Sequence, residues 1–391
     1  MAENSFPYEL PSNWKWTTLG DVCSLSQGEK LSTKNLPYLN VKYLRGTNEK
    51  TSVESGNYVE EGSKLILVDG ENSGEIFTVK ENGYMGSTLR ELKIHENVDA
   101  DFFQYFVSTK KELYRKNKRG SAIPHLNKTL FYSTPIPLPP LDEQKRIVAV
   151  IERLFSKLDA AKSIVQKILD GYELRRAAIL HKAFTGDLTK NFRVEHSLTI
   201  DDWQQKSLGA VLELSKKKTN SFNENLKYVG LENISKDSGK INFQSAAEVK
   251  STKNIFYSGD LLYGKLRPYL NKHGIPNFNG VCSTDILVLN ANELSTNEFI
   301  NYFFSLPTFV EYAVSNSKGI NLPRVSAQII LKAEINLPPL NEQKEIVRVL
   351  NSLLDKEERT KEFAEKILSE IDLLKRTILA RAFRGELGTK Y

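Results

Sequence analysis

The sequence predicts an α+β fold: two pseudo-repeated mixed α/β modules joined by two long helices forming an antiparallel coiled coil. Three observations predict it: a motif that occurs twice, an apolar heptad after each copy, and a proline barrier before each helix. The segment Leu138-Pro139-Pro140-Leu141-Asp142-Glu143-Gln144-Lys145-Arg146-Ile147-Val148 returns 199 residues later as Leu337-Pro338-Pro339-Leu340-Asn341-Glu342-Gln343-Lys344-Glu345-Ile346-Val347. The match continues without a gap and closes on Ala183-Phe184-Thr185-Gly186-Asp187-Leu188 and Ala382-Phe383-Arg384-Gly385-Glu386-Leu387. A period of half the chain is a duplication, not a solenoid of short repeats.

The run Pro135-Ile136-Pro137-Leu138-Pro139-Pro140 cannot be helical and ends the first module. Asp142 then stands as N-cap, and no proline recurs until Pro268. Apolar residues follow at alternating spacings of four and three: Ile147, Ile151, Leu154, Leu158, Ala161, Val165, Ile168, Tyr172 and Ile179, with Arg175 the polar intruder. Such a 3.5-residue period is the seam of a coiled coil. Residues 143–182 as one helix would measure about 60 Å. Gly186 supplies the stop, and His181 and Lys182 suit the negative end of the helix dipole.

The second stripe is Ile346, Leu350, Leu353, Ala364, Ile367, Ile371, Leu374 and Ile378, ending at Gly385. Glu357 and Thr360 interrupt it and are expected to splay the packing locally. A lone helix carrying either stripe is poorly stable in water, so each needs a partner. The other copy is the nearest one; pairing between two chains through the same stripes is the alternative.

The modules correspond more loosely. Trp14 and Leu19-Gly20 parallel Trp203 and Leu208-Gly209, and Gly120-Ser121-Ala122-Ile123-Pro124 parallels Gly319-Ile320-Asn321-Leu322-Pro323. The runs 64–68 and 285–289 read as strands, and 102–114 and 299–314 as amphipathic helices. The division is therefore 1–140, 141–188, 189–339 and 340–391. Residues 70–86 and 264–283 barely align, so a repeated scaffold carries two different faces.

Composition bounds the function. The chain has 40% hydrophobic and 26% charged residues, an ordinary globular balance, and a net charge of +6 that permits a polyanionic partner. Residues 1–7 lack the basic and apolar regions of a secretory signal, and no run is long enough to span a membrane, which points to the cytoplasm. Cys23 and Cys282 show no metal spacing and read as buried thiols. The five histidines (His95, His125, His181, His196, His273) show no ligand spacing either, and surface positions are expected for each.

No catalytic constellation emerges. Gly259 to Lys265 matches GxxxxGK, but Leu266 occupies the magnesium-binding position and the segment reads as strand. Basic residues are more informative. Lys110, Lys111, Arg115, Lys116, Lys118 and Arg119 crowd one end of the first module's helix. The second module has Lys216-Lys217-Lys218, then Lys265, Arg267, Tyr269, Lys272 and His273 within a short span. Such clusters neutralise phosphates and reach guanine edges; a solvated charged face is the structural alternative.

At the twin Leu-Pro-Pro-Leu-x-Glu-Gln-Lys motifs the chain resembles the specificity subunit of type I restriction–modification systems, along its whole length. That resemblance implies two target-recognition domains, two spacer helices and no catalysis or bound cofactor of its own. It implies double-stranded DNA as ligand and two modification subunits that methylate adenine from S-adenosylmethionine. Restriction subunits using ATP and magnesium are the further partners it implies. The candidate DNA-binding residues are Lys42, Arg45, Asn72, Ser87, Arg90, Lys110, Lys111, Arg115, Lys118 and Arg119 in the first module. Lys218, Lys265, Arg267, Lys272 and Ser283 are those of the second. The Pro-Pro-Leu-x-Glu-Gln turns and exposed helix faces are the candidate docking points for the modification subunits. A self-sufficient methyltransferase would need a cofactor loop and an intact Asn/Asp-Pro-Pro-aromatic motif. A coiled-coil adaptor binding protein alone would leave the paired basic modules unused.

Overall fold

Each module begins and ends on adjacent antiparallel strands. Lys15–Thr18 pairs with Pro135–Leu138, and Gln204–Ser207 with Glu334–Leu337. The chain thus leaves a module beside the point where it came in, and the helix starts there. Pro135 and Pro137 are tolerated because this is a two-stranded ribbon, where a missing N–H breaks no interior ladder. This computed structural model describes residues 8–32, 34–120, 124–236 and 239–387. Residues 1–7 and 121–123, both read above, lie outside them. The chain forms two compact units, Met1–Gln166 with Lys366–Tyr391, and Lys167–Glu365.

Within a module the strands form two further sheets. In the first unit, Cys23–Ser26, Leu89–Ile94, Lys64–Leu67 and Ile76–Thr78 lie side by side, all antiparallel. In the second, Leu212–Leu214, Ile286–Ala291, Leu261–Gly264 and His273–Gly274 repeat that order. The other sheet has five strands in each unit, and in each one pair is parallel: Leu36–Leu39 with Gly83–Met85, and Lys227–Val229 with Gly280–Cys282. The diverged interiors therefore keep one topology. GxxxxGK falls on the strand Leu261–Gly264 and is followed only by the short 3-10 turn Pro268–Leu270, not by an α-helix.

Each unit has two cores. The larger core of the first unit packs Trp14, Leu19, Phe102, Phe103, Phe106 and Phe131 against Ile147 and Ile151 of the long helix. The second unit's counterpart packs Leu208, Phe299, Phe304 and Ile330 against Ile346 and Leu350. Each such side chain contributes about 1.5–3 kcal/mol on burial. The first turns of the heptads thus anchor each helix to its module. A phenylalanine near each helix end plugs the same core. Phe383 stands 5.1 and 5.2 Å from the rings of Phe102 and Phe106, and Phe184 stands 5.0 and 5.8 Å from Phe299 and Phe303.

The helices differ from expectation at their breaks. The first runs Leu141–Asp170 and resumes as Tyr172–Phe184. Gly171, the poor helix former between them, stays right-handed and keeps both flanking helical hydrogen bonds (3.2 and 3.0 Å). Because the helix starts at Leu141, Asp142 lies in the first turn instead of capping it. The second is continuous over Leu340–Ala382. Gly186 and Gly385 adopt φ of 79° and 72°, the left-handed conformation that ends a helix and disfavours a Cβ. The expected helix 299–314 is two, Asn297–Phe304 and Pro307–Ser315, because Pro307 cannot continue a helix and takes its first position. Likewise 102–114 divides at Lys110 into Ala100–Thr109 and Lys111–Lys116.

The two helices run antiparallel within each unit. In the first, Lys375 and Asp372 bridge Asp159 and Lys162 at 2.5 and 3.0 Å, rising numbers meeting falling ones. In the second, Arg175 bridges Glu357 at 2.9 Å and the Tyr172 hydroxyl donates to Glu358. At Glu357 the interruption of the stripe carries a polar contact. The polar intruder of one stripe pairs with the interruption of the other, and Lys361 lies 4.8 Å over the Tyr172 ring.

Of the remaining heptad positions, Val165, Ala364 and Ile371 are buried, and Leu154, Leu158, Ala161, Ile179, Leu353, Ile367 and Ile378 half-buried. Ile168 and Leu374 depart from the stripe, at 37% and 48% exposed. A straight helix drifts about 20° per heptad from a strict seven-residue repeat. At 374 the drift turns Lys375 inward, 4.9 Å over the Phe155 ring.

Candidate nucleic-acid interface

In the first module the loop after strand Lys64–Leu67 gathers several candidate residues. Its acids hold the nearby cations. Asp69 Oδ1 is 2.7 Å from His125 Nδ1, Glu71 accepts from Lys118 Nζ at 2.5 Å, and Glu75 receives the Arg45 guanidinium. Lys118, followed by the more distant Arg115, holds the Glu71 carboxyl below the usual range. Asn72 belongs to this loop, its carbonyl accepting from Glu75 N at 3.1 Å. Ser87 and Arg90 flank Thr88, whose carbonyl takes Val68 N at 2.9 Å; Arg90 Nη1 donates to the carbonyls of Ser87 and Leu89. Lys42 is exposed on the short helix Val41–Leu44.

Of the other first-module cations, Arg119 joins this corner through His125, and the rest stand apart from it. Arg119 is exposed and exchanges backbone hydrogen bonds with His125 (3.0 and 2.8 Å). Arg115 bridges Glu112 at 3.2 Å. Lys111 is exposed, while Lys110 lies 5.2 Å over the Phe106 ring and burial lowers its pKa.

The second module builds the same corner with different charge. Lys318 and Arg324 exchange backbone hydrogen bonds of 2.8 Å, as Arg119 and His125 do. Lys265, Lys318, Arg324 and Lys332 line a cleft of about 600 Å³. Arg324 bridges Asp285 at 3.1 Å, and the Asp285 N–H donates to Ser283 Oγ at 3.2 Å. Arg267 is exposed beside them at φ 53°, its N–H donating to Pro323 O at 2.7 Å. The structure therefore brings Lys265, Arg267 and Ser283 together. Lys272 instead donates to Leu231 O at 2.6 Å, and Lys218 lies exposed on the strand Lys218–Thr219.

Sequence reasoning missed Lys318, Arg324 and Lys332. Lys318 and Arg324 flank the repeated Gly-x-x-x-Pro segment, which was the available signal. Four histidines are exposed as expected, but His273 is 2% exposed and bonded to Asn301 Oδ1 at 2.7 Å. Both cysteines are free and buried, and burial pushes each thiol up to about 12.

The repeated Glu-Gln pair is turned inward, so of the Pro-Pro-Leu-x-Glu-Gln turns only other positions, such as Pro140, Asp142, Leu340 and Asn341, are exposed. Gln144 Nε2 donates to Pro139 O and Asn97 O at 2.9 and 3.1 Å, and its Oε1 accepts from Asp99 N at 2.8 Å. Gln343 does the same with Pro338 O, Leu294 O and Ser295 Oγ (2.8, 2.9 and 2.8 Å). These side chains staple strand, helix and module loop, and with Glu143 and Glu342 they are 0–2% exposed. A partner cannot reach them.

Comparison with known proteins agrees with the duplication. The family model described as the type I restriction modification DNA specificity domain matches residues 11–169 and again 200–369. The type I restriction enzyme EcoDI specificity subunit of Escherichia coli is 26% identical, over 98% of this chain and 90% of its own. The MjaVIII specificity subunit of Methanocaldococcus jannaschii is also 26% identical, over 97% and 94%. Among solved structures, a chain from work on complex assembly and conformational transition of the type I R-M system aligns with a TM-score of 0.76 at 19% identity, covering 97% of this chain and 100% of that one. The HsdS subunit of Thermoanaerobacter tengcongensis aligns at 0.61 and 19%, over 97% and 99%. These two show the fold. With both copies matched, the chain belongs to the family of type I restriction modification DNA specificity domains, which it carries twice.

Proposed function

We propose that this specificity subunit reads an asymmetric, two-part DNA target, one module to each half, and catalyses nothing itself. The observation that carries the reading is one topology used twice with unlike charged corners: Asp69, Glu71 and His125 in one, Lys265, Lys318 and Arg324 in the other. Unlike faces on like scaffolds recognise unlike sequences. The residues listed for each module on sequence grounds are the proposed DNA contacts, extended by Lys318, Arg324 and Lys332.

The remaining chemistry lies with partners. Two modification subunits carry S-adenosylmethionine and methylate adenine, and restriction subunits use ATP and magnesium, all in the cytoplasm. Apolar residues left exposed on the helices are the docking points: Ile164 (63%) and Leu373 (60%) in the first unit, Leu174 (77%) and Phe363 (65%) in the second. The helices act as a ruler between half-sites about one DNA turn, roughly 34 Å, apart.

A base-resolution methyladenine map tests the reading, in cells making this chain with its modification subunit and in cells lacking it. The expected result is a two-part motif methylated on both strands and lost with the chain. Exchanging 1–140 or 189–339 for a relative's residues should alter one half each, and four residues inserted within 150–170 should change only the gap. No new methylation from a soluble, co-purifying pair would overturn the role and favour a protein-only adaptor.

A further inference from the structure

Ile320 is 100% exposed and Leu322 51% exposed at the tip of the loop 319–323. The loop is short and its neck is pinned. Lys318 and Arg324 close it with paired backbone bonds, Val325 N–H donates to Lys265 O at 3.0 Å, and Arg267 N–H to Pro323 O at 2.7 Å. Gly319, at φ 103°, takes the left-handed conformation that the turn requires. An apolar tip is thus held out on a fixed base, not left on a free strand of chain. Around the base stand Lys265, Arg267, Lys318, Arg324 and Lys332, with Asp285 as the acid bridged to Arg324.

A fully exposed isoleucine ringed by cations matches the chemistry of duplex DNA, not that of an apolar protein groove, which would leave the cations unmatched. Cations take the phosphates, and an apolar side chain between them wedges into a base step and unstacks it. The corresponding stretch of the first module reads Ser121-Ala122-Ile123, with serine where this loop has Ile320. An isoleucine at this position therefore belongs to the second module's sequence alone.

Resting on the DNA-reading role above, we propose that Ile320 is a wedge that opens one base step in the half-site read by the second module, while the flanking cations hold the phosphates beside it. This makes the deformability of that step part of the recognised sequence.

The test uses the full chain assembled with its modification subunits. The probe is a duplex bearing the mapped target, with 2-aminopurine placed singly at successive positions of each half. Binding should raise emission at one position in the second module's half. Ile320→Ala should abolish that rise and weaken binding by up to roughly fiftyfold, about what removing three buried aliphatic carbons costs. Ile320→Leu should restore both. Lys318→Ala should instead reduce the salt dependence by about one phosphate contact. Unchanged emission and affinity in Ile320→Ala would overturn the wedge. So would unchanged emission together with loss of co-purifying modification subunit, which would make the tip a protein contact. A wild-type complex that shows no preference for the target over unrelated duplex would overturn the DNA-reading role itself, and the wedge with it.

Discussion

Glu342 and Glu143 stand at the same point of the same motif, both buried, and their surroundings differ. Glu342 accepts from Thr189 Oγ1 and Arg193 Nη1 at 2.6 Å each and from Trp203 Nε1 at 2.9 Å. Arg193 also donates to Gly186 O at 2.7 Å, which ties the end of the first helix into the same cluster. Glu143 accepts from Asn13 Nδ2 at 2.8 Å, while its Oε1 and Trp14 Nε1 have no hydrogen-bond partner among the described residues. Beyond the phenylalanine plug common to both units, the helix end in the first unit is held by a hydrogen bond from Tyr8 to Phe383 O at 2.9 Å. Burial pushes the Tyr8 hydroxyl up to about 12, so it remains a donor across the ordinary range. Equal motifs thus fix equal backbone geometry with unequal electrostatics.

The largest expected effect breaks this contrast at its charged member. Arg193→Leu leaves Glu342 buried without its cation and should destabilise the second unit by about 3–5 kcal/mol. Glu143→Gln removes a charge whose Oε1 has no partner, and should change the first unit by less than about 1 kcal/mol. Hydrogen exchange over 187–203 and 340–350, against 141–151, separates the two units. Comparable loss of protection in both would refute the contrast. The tryptophans sharpen it at smaller scale. Trp203→Phe should cost about 1–2 kcal/mol through its lost hydrogen bond, and Trp14→Phe distinctly less; calorimetry of the full chain reads both.

The two necks extend the comparison to the DNA face. His125 beside Asp69 stands where Arg324 stands beside Asp285. Arg324→Ala should lower the slope of log affinity against log salt by about one, and His125→Ala by distinctly less. Equal slopes, measured on the assembled complex with a target duplex, would show the two corners to be electrostatically alike.

The scaffold was legible because its signals are local or periodic: paired prolines, a heptad, a glycine stop. Pro307 was equally local, and its break was missed because the apolar pattern continues across it. The charged corner of the second module was only partly legible. Lys318 and Arg324 close one short loop that the repeated Gly-x-x-x-Pro segment marks, but Lys265 joins them across more than fifty residues through the backbone bridge at 265–266, which no short-range pattern encodes. The same holds for Arg193 and Glu342, 149 residues apart. Arg175 and Glu357 each read as a flaw in its own stripe, and only the antiparallel register shows that the flaws match.

The smallest expected effect concerns the helix contact of the first unit. Side-chain hydrogen bonding from Lys162 lowers the Asp372 pKa. A carboxyl depressed in the folded state stays ionised there while the unfolded chain begins to take up a proton. Its contribution is therefore complete above the ordinary aspartate range, near 4, and fades as pH falls through the lowered folded value. Asp372→Asn should melt slightly below wild type at pH 7, and the gap should close as the pH falls through the lowered folded value. The pair is solvent-exposed, so added salt at pH 7 should shrink the same gap. A difference that persists unchanged to acid pH would mean the asparagine acts on helix packing, and that this salt bridge adds nothing to the antiparallel contact.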